Sequence, residues 1–439
     1  MLLPTLLLSL AAPLAQDPAP TRVFVLAGQS NMVGYTSAAW VEANAPALAQ
    51  PRADVWVDWQ LRCAPLAPGA GHEVGPELAL GHALGDAFEE PVLLIKVAVG
   101  GTTLREDWRP PSTVAAEGGE IGYLYARMMK RVRRVLERPD LSCPAALGGG
   151  EFQLSGFVWL QGENDSFDGR EQSYESNLRH LIADVRAATA TPELPAVVIQ
   201  INDSGAWDSS GGGGPLVRAA QAAVATEDPF AALVVTRDLD EGYHYADGDH
   251  VTIGQRAGAA LLPLLERPLA TDRAALAAAW QAQDALFYPG RGARPPRPEV
   301  HLSDLPWREA SAGYGGDPRR DASIEDRPLA VDGRSYAKGI GTHAESELVI
   351  GLDESYTRFV SVAGIDDEMG ERDVCSAVFQ VWFDDELAAE SVVVKAQEEW
   401  FFDLPVPAGA RAMRLRVLEA DSGNNSDHAD WVDCGFLRR

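Results

Sequence analysis

The chain reads as an α/β unit, an open parallel sheet flanked by helices, followed by an all-β sandwich domain. Three observations carry that reading. Residues 22–268 alternate continuous apolar runs with helical stretches, the texture changes over 269–298, and residues 299–439 lose the helical period. At 439 residues the chain also exceeds what one hydrophobic core usually organises.

In the first part, VFVLA (23–27), PVLLIKVAV (91–99), SGFVWLQ (155–161), AVVIQI (196–201) and AALVVT (231–236) are apolar at nearly every position. A strand with one solvated face alternates, whereas a strand covered on both faces does not, so these runs predict strands inside a parallel sheet. Between them lie ELALGHALGDAF, GYLYARMMKRVRRVLER, SYESNLRHLIADVRAAT and PLVRAAQAAVATE, with helical spacing. Parallel neighbours require such crossovers. After Pro268, the helix-prone AALAAAWQAQDALF leads into PGRGARPPRPE, which has the composition of an interdomain connector. Beyond it SELVIGL, RFVSVAGI, SAVFQVWF, ESVVVKA, AMRLRVLEA and WVDCGFL are short alternating runs between turn-rich pieces, the pattern of a sandwich.

Apolar residues make up 46% and charged residues 23% of the chain, a balance that supports folded domains rather than disorder. Acidic residues outnumber basic ones 64 to 37, a net charge of −27. Such a surface repels phosphate backbones, which excludes nucleic acid as a natural partner. Residues 1–15, MLLPTLLLSLAAPLA, read as a signal peptide and predict a secreted or periplasmic protein. No later run is long enough to span a bilayer, so no membrane association is expected once the signal is cleaved. Cys63, Cys143, Cys375 and Cys434 form no CxxC pair, which argues against zinc and thioredoxin-type chemistry. Their even number and spacing predict one disulfide in each half, the second joining Cys375 to Cys434.

The chemistry-bearing residues cluster just past strand ends, where open α/β sheets build their sites. VFVLA runs into Gly28-Gln29-Ser30-Asn31-Met32, placing Ser30 beyond the first strand with Gln29 and Asn31 as flanking substrate contacts. PVLLIKVAV ends in Gly100-Gly101-Thr102, where a backbone N–H can approach a substrate oxygen. GFVWLQ ends in Gly162-Glu163-Asn164-Asp165, offering a carboxamide donor from Gln161 or Asn164. Asp247-Gly248-Asp249-His250 precedes a helical stretch, and an aspartate three residues before a histidine can fix its tautomer. Nucleophile, oxyanion donors and base thus converge. His72 and His82 read as residues on or beside a surface helix, Trp56, Trp59 and Trp207 as core, and Trp108 as a sugar contact.

GQSNM, VGGT followed by Trp108, WLQGEND and DGDH together resemble the successive blocks of the SGNH hydrolases. They are most similar to the branch holding sialate O-acetylesterases and acetyl xylan esterases, carbohydrate esterase family 6, over residues 22–268. The resemblance implies a flavodoxin-like fold with Ser30 as nucleophile and His250 as base. Asp247 would be the partner of His250, with Asp249 as a substitute. The oxyanion hole would comprise the Ser30 N–H, Gly100 or Gly101, and Gln161 or Asn164. No metal or other cofactor is implied.

VHLSDLPW, LAVDGRSYAKGIGTHAESELVIGL, FVSVAGIDDE, VFQVWFDDE and DHADWVD resemble the carbohydrate-binding module called NPCBM, over 299–439. The two resemblances imply an exported serine O-acetylesterase acting on an acetylated polysaccharide such as xylan. O-acetyl sialic acid, or a catalytically inactive glycan-binding protein, are the alternatives. A lipase-type activity would need an apolar groove that no segment announces.

Overall fold

The computed structural model describes residues 20–439 apart from 61, 70–73, 138–142, 144–150, 210, 240–241, 268–271, 371–374 and 421–425. The signal sequence expected at 1–15, and His72, lie outside the described residues. Among the described residues no helix is long and apolar enough to cross a membrane.

The first unit is a seven-stranded sheet of β1 (Thr21–Gly28), β2 (Arg52–Trp59), β3 (Arg62–Leu66), β4 (Val92–Ala98), β5 (Phe152–Leu160), β6 (Ala196–Ile199) and β7 (Ala231–Val234). Their order is β3-β2-β4-β1-β5-β6-β7. All neighbours are parallel except the β2–β3 edge hairpin. The five apolar runs are β1, β4, β5, β6 and β7, and β1 shows why they do not alternate. Val23, Val25 and Ala27 enter the core on one face of the sheet, while Phe24 and Leu26 enter the core on the other. Sequence reasoning missed β2 and β3 because RADVWVDW carries charges at alternate positions. One of these, Asp58, is buried in a bidentate ion pair with Arg131 of the helix Tyr123–Glu137.

Chain order reverses at β1, with β4 on one side and β5 on the other. This opens a crevice outside the carboxyl ends of the three central strands. After β7 the chain returns to this crevice and enters the helix Asp249–Leu261, which packs on the helix Glu77–Ala87.

The second unit is two antiparallel sheets face to face. One contains the strands Gly339–His343, His428–Arg438, Tyr356–Ile365 and Glu399–Pro405, and the other contains Glu386–Glu390, Ser376–Phe383, Ala412–Glu419, Ser346–Gly351 and Trp307–Ser311. Phe379 of one sheet meets Trp431 of the other edge-on at 5.1 Å, in the core between them. The run ESVVVKA forms only the two-residue strand Val394–Lys395.

Cys63 and Cys143 are joined by a disulfide with Cα atoms 5.7 Å apart. Cys375 and Cys434 are not joined, contrary to expectation, and both are buried thiols. Cys375 leads into Ser376–Phe383 of one sheet whereas Cys434 lies on His428–Arg438 of the other, so the sandwich interior separates their backbones.

The helix-prone run before the Pro- and Arg-rich connector forms the helix Arg273–Phe287, and this helix is held on both sides. Gln283 donates to the Ala188 carbonyl of the first unit at 3.0 Å, and Tyr288 is buried in the sandwich core. Lys130 of the first unit pairs with Glu398 of the second and lies 4.4 Å from the Tyr288 ring. Apolar spacing in AALAAAWQAQDALF signalled the helix, but its docking depends on partners distant in sequence.

Candidate active site

Ser30 opens a single helical turn, Ser30–Val33, at the carboxyl end of β1, and is 5% exposed. A Cβ added to Gly100 would lie 3.5 Å from the Ser30 Cβ, and one added to Gly101 would lie 3.8 Å from the Asn164 Nδ2. The turn after β4 therefore passes between Ser30 and Asn164, and Gly101 takes a φ of +75° there. Three adjacent strand ends bring Ser30, Gly100, Gly101 and Asn164 into one crevice.

Gln161 is withdrawn from it. Its Nε2 lies within hydrogen-bond distance of the Thr102 carbonyl (3.0 Å), Asp165 Oδ2 (2.7 Å) and the Gln29 amide (3.1 Å), and the side chain is fully buried. Asn164 is half-buried, with its Nδ2 beside Gly101. Gln29 and Asn31 also depart from expectation. Both are buried, and they brace the crevice rather than face a substrate. Asn31 Nδ2 donates to Glu163 Oε1 at 2.6 Å, and Asn31 Oδ1 accepts from the Tyr245 N–H at 3.3 Å, tying the loop after β5 to the loop that leads to His250.

Trp108 is not a sugar contact. It is wholly buried, meets Trp159 edge-on at 5.2 Å, and donates from Nε1 to Thr102 Oγ1 at 3.1 Å. Its indole N–H finds a partner inside, so the whole ring supports the Gly100–Thr102 turn. Among the described residues Tyr35 and Tyr243 are exposed aromatics near His250, and they flank His244. Tyr35 stacks on His244 at 4.1 Å and has its ring centroid 6.3 Å from that of His250, and Tyr243 meets His244 edge-on. Neither carries a sequence signal beyond being a tyrosine near a motif, Tyr35 just after the GQSNM block and Tyr243 just before the DGDH block.

His250 is fully buried on the first turn of the helix Asp249–Leu261. Its Nδ1 lies 3.3 Å from Thr36 Oγ1, while Nε2 is buried with no hydrogen-bond partner. Burial pulls the imidazole down to about 3, with the Lys96 charge and His244 adding to the effect. At neutral pH it is an uncharged ring able to accept a proton.

Asp247, the expected partner of His250, bonds elsewhere. Gly248, in the left-handed region at φ 90° and ψ −25°, turns the chain so that Asp247 points to the surface and accepts from the Ser37 N–H at 2.9 Å. The assumption of one smooth local turn from Asp247 to His250 fails at that glycine. Thr36, which also accepts weakly from the Gly248 N–H at 3.4 Å, occupies the Nδ1 side instead.

Three further groups went unnoticed in the sequence. Lys96, on β4, is fully buried, pairs with Glu77 at 2.7 Å and donates to the Val33 carbonyl at 2.8 Å, fixing the turn that begins at Ser30. Burial lowers its ammonium while Glu77 opposes the shift. Asp165 accepts from the Leu104 and Arg105 N–H groups at 2.7 and 3.1 Å, and burial pushes its carboxyl up to about 6. Glu163 is raised by burial too, against the hydrogen bond from Asn31. Lys96 was visible as the one charge within an apolar run. Among the described residues no group of three or more His, Cys, Asp or Glu side chains is arranged to hold a metal ion.

Comparison with known proteins places this crevice in a family. Residues 20–263 match the profile of "Carbohydrate esterase, sialic acid-specific acetylesterase". The chain belongs to that family of carbohydrate esterases. Residues 298–437 match the NPCBM/NEW2 domain. A "Probable carbohydrate esterase" of Arabidopsis thaliana is 28% identical over 217 residues, covering 44% of this chain and 75% of the relative. The "Alpha-1,3-galactosidase B" of Akkermansia muciniphila is 35% identical over 125 residues, 28% of this chain, and the match spans only 15% of that relative's length. A CBM51 module from Clostridium perfringens, solved with methyl-galactose, is 34% identical with a TM-score of 0.30, covering 31% of this chain and 99% of the module. The esterase domain thus contains the whole crevice, and the NPCBM domain is the β-sandwich.

Proposed function

We propose that the protein is an exported O-acetylesterase that hydrolyses acetyl esters on a glycan, with Ser30 as nucleophile and His250 as general base. The observation that carries this reading is the convergence of Ser30, the Gly100–Gly101 turn and Asn164 at three adjacent strand ends, to which the contacts of Thr36 with His250 and of Tyr245 with Asn31 tie an imidazole with its Nε2 unpartnered. As Ser30 Oγ attacks the ester carbonyl carbon, its proton passes to His250 Nε2. The carbonyl oxygen becomes an oxyanion received by the Ser30 N–H, an N–H of the Gly100–Gly101 turn and Asn164 Nδ2. Collapse of the intermediate breaks the ester C–O bond, and His250 returns the proton to the departing sugar hydroxyl. Water then repeats the sequence on the acetyl-enzyme and releases acetate.

Thr36 holds the Nδ1 side of the ring. With Nδ1–H donated to Thr36 Oγ1, the lone pair is on Nε2, as a base requires. Tyr35 and Tyr243 supply aromatic faces on which a sugar ring can stack. Export is supported by the apolar run at 1–15 and by the Cys63–Cys143 disulfide, which persists in oxidising compartments.

An acetylated polysaccharide such as xylan suits a chain of charge −27 better than an anionic substrate does, and the NPCBM domain would keep the enzyme at the polymer. The family's description favours O-acetylated sialic acid as a second reading. Acetate release from acetylated xylan, acetylated mannan and O-acetyl sialic acid separates them. Activity on xylan that is lost in Ser30→Ala is the expected result, and activity confined to sialic acid would overturn the substrate assignment.

A further inference from the structure

A cavity of about 300 Å³ lies at the junction of the two domains, and no residue of the catalytic crevice lines it. Its wall carries six basic and four acidic side chains, an excess of positive charge in a chain whose net charge is −27. Most of these charges are matched. Arg133 and Arg291 share Asp284 at 2.6 and 2.7 Å, and Arg294 pairs with Glu399 and donates to Tyr336 Oη.

Arg134 and Arg334 are matched more loosely, both facing Asp332 and Arg134 facing Asp367 as well. Arg134 reaches from the helix Tyr123–Glu137 of the esterase domain to within 3.8 Å of Asp332 in the sandwich, and its Nε and Nη1 have no hydrogen-bond partner. Arg334 Nε and Gln397 Nε2, both on the sandwich side, are also buried without acceptors. Burial and the neighbouring Glu399 raise the Asp332 carboxyl, so it counters the guanidinia less than an exposed aspartate would. Buried donors left unmade are costly, more so when charged, and a set of them around one space calls for an acceptor there. The remaining wall includes the rings of Phe287, Tyr288 and Phe401.

We propose that this junction cavity is a second glycan-binding site, selective for a sugar unit that bears a carboxylate. Arg134 and Arg334 take the carboxylate, Gln397 donates to a ring substituent, and the partly exposed Phe287 and Phe401 border the apolar side of the sugar. Guanidinium groups suit carboxylates through paired N–H donors, and the aromatic wall favours a sugar acid over a bare inorganic anion. A volume of about 300 Å³ is at the lower end of small-molecule sites and far exceeds one water. Both domains contribute donors, so the site exists only in the intact chain. A polysaccharide carrying acetyl esters and uronate branches would engage both the crevice and this cavity.

Calorimetric titration of the full-length protein with glucuronate, N-acetylneuraminate, glucose and inorganic phosphate tests the proposal without reference to esterase activity. At least one of the two sugar acids should bind at least tenfold more tightly than glucose and phosphate, and the tighter one identifies the glycan source. Arg134→Gln and Arg334→Gln should each weaken that binding by tenfold or more while melting temperature and hydrolysis of a small acetyl ester are retained. Hydrogen exchange on the wild-type chain gives an answer independent of the variants, because the sugar acid should protect segments 123–137 and 329–336. Sugar acids that bind no better than glucose or phosphate, binding unchanged in both folded variants, or protection confined to other segments would each overturn it.

Discussion

His250 Nδ1 lies 3.3 Å from Thr36 Oγ1, while Asp247, expected on that side of the ring, accepts from the Ser37 N–H instead. This relationship separates two roles that the DGDH block seemed to combine. Thr36→Val should lower kcat by about tenfold or more by releasing the tautomer, with Thr36→Ser restoring most of it, whereas Asp247→Asn should change kcat less than threefold. Steady-state kinetics on a small acetyl ester check all three. A large kcat loss confined to Asp247→Asn would return the role to the aspartate.

The depressed imidazole predicts an unusual pH profile. With His250 at about 3, kcat/KM should stay level as pH falls through the range where an ordinary imidazole, near 6.5, protonates. Stability, by contrast, should fall over the same range. The unfolded chain takes up the proton first, so folding free energy is lost as pH falls from about 6.5 towards 3. An acid limb near pH 6.5 in acetate release would contradict the buried, neutral base.

Asn164 and Gln161 should respond differently although both are carboxamides beside the same strand end. Asn164→Ala should lower kcat by about 10²–10³-fold with little change in KM, as for a donor used mainly in the transition state. Gln161→Ala should instead lower the melting temperature, because its amide joins Thr102, Asp165 and Gln29. Kinetics paired with thermal unfolding distinguish the two.

Lys96 and Glu77 form a buried pair beneath the Ser30 turn. Lys96→Met alone strands a buried carboxylate and should cost about 3–5 kcal/mol, while Lys96→Met with Glu77→Leu should recover much of that loss. Urea unfolding of the two variants measures the difference. Equal destabilisation would show that the loss comes from packing against the Trp59 ring, 4.1 Å from the ammonium, rather than from the unpaired charge.

What the sequence disclosed follows from how each signal arises. The inner strands β1, β4, β5 and β6 were legible because burial on both faces leaves continuous apolar runs such as that of β1, and the edge strand β7 is apolar in the same way. The hairpin edge was not, because Asp58 and its neighbours look like a solvated face until Arg131, far along the chain, is known to cover one of them. Ser30, the glycine turn and Asn164 were legible as strand-end residues. The partner of His250 was misread because one left-handed residue, Gly248, redirects Asp247, and short spacing alone carries no φ. Trp108 was misread because a tryptophan beside a site looks alike in sequence whether its N–H faces a sugar or Thr102. Cys375 and Cys434 share a domain but not a sheet, a distinction that strand order alone supplies.

The most direct test of the account is peptide mapping by mass spectrometry after reaction with an organophosphonate that traps activated serines. The account predicts one adduct, on the peptide containing Ser30, forming in step with loss of acetate release and absent from Ser30→Ala. Complete inhibition with the adduct on another residue, or full acetate release from Ser30→Ala, would contradict it.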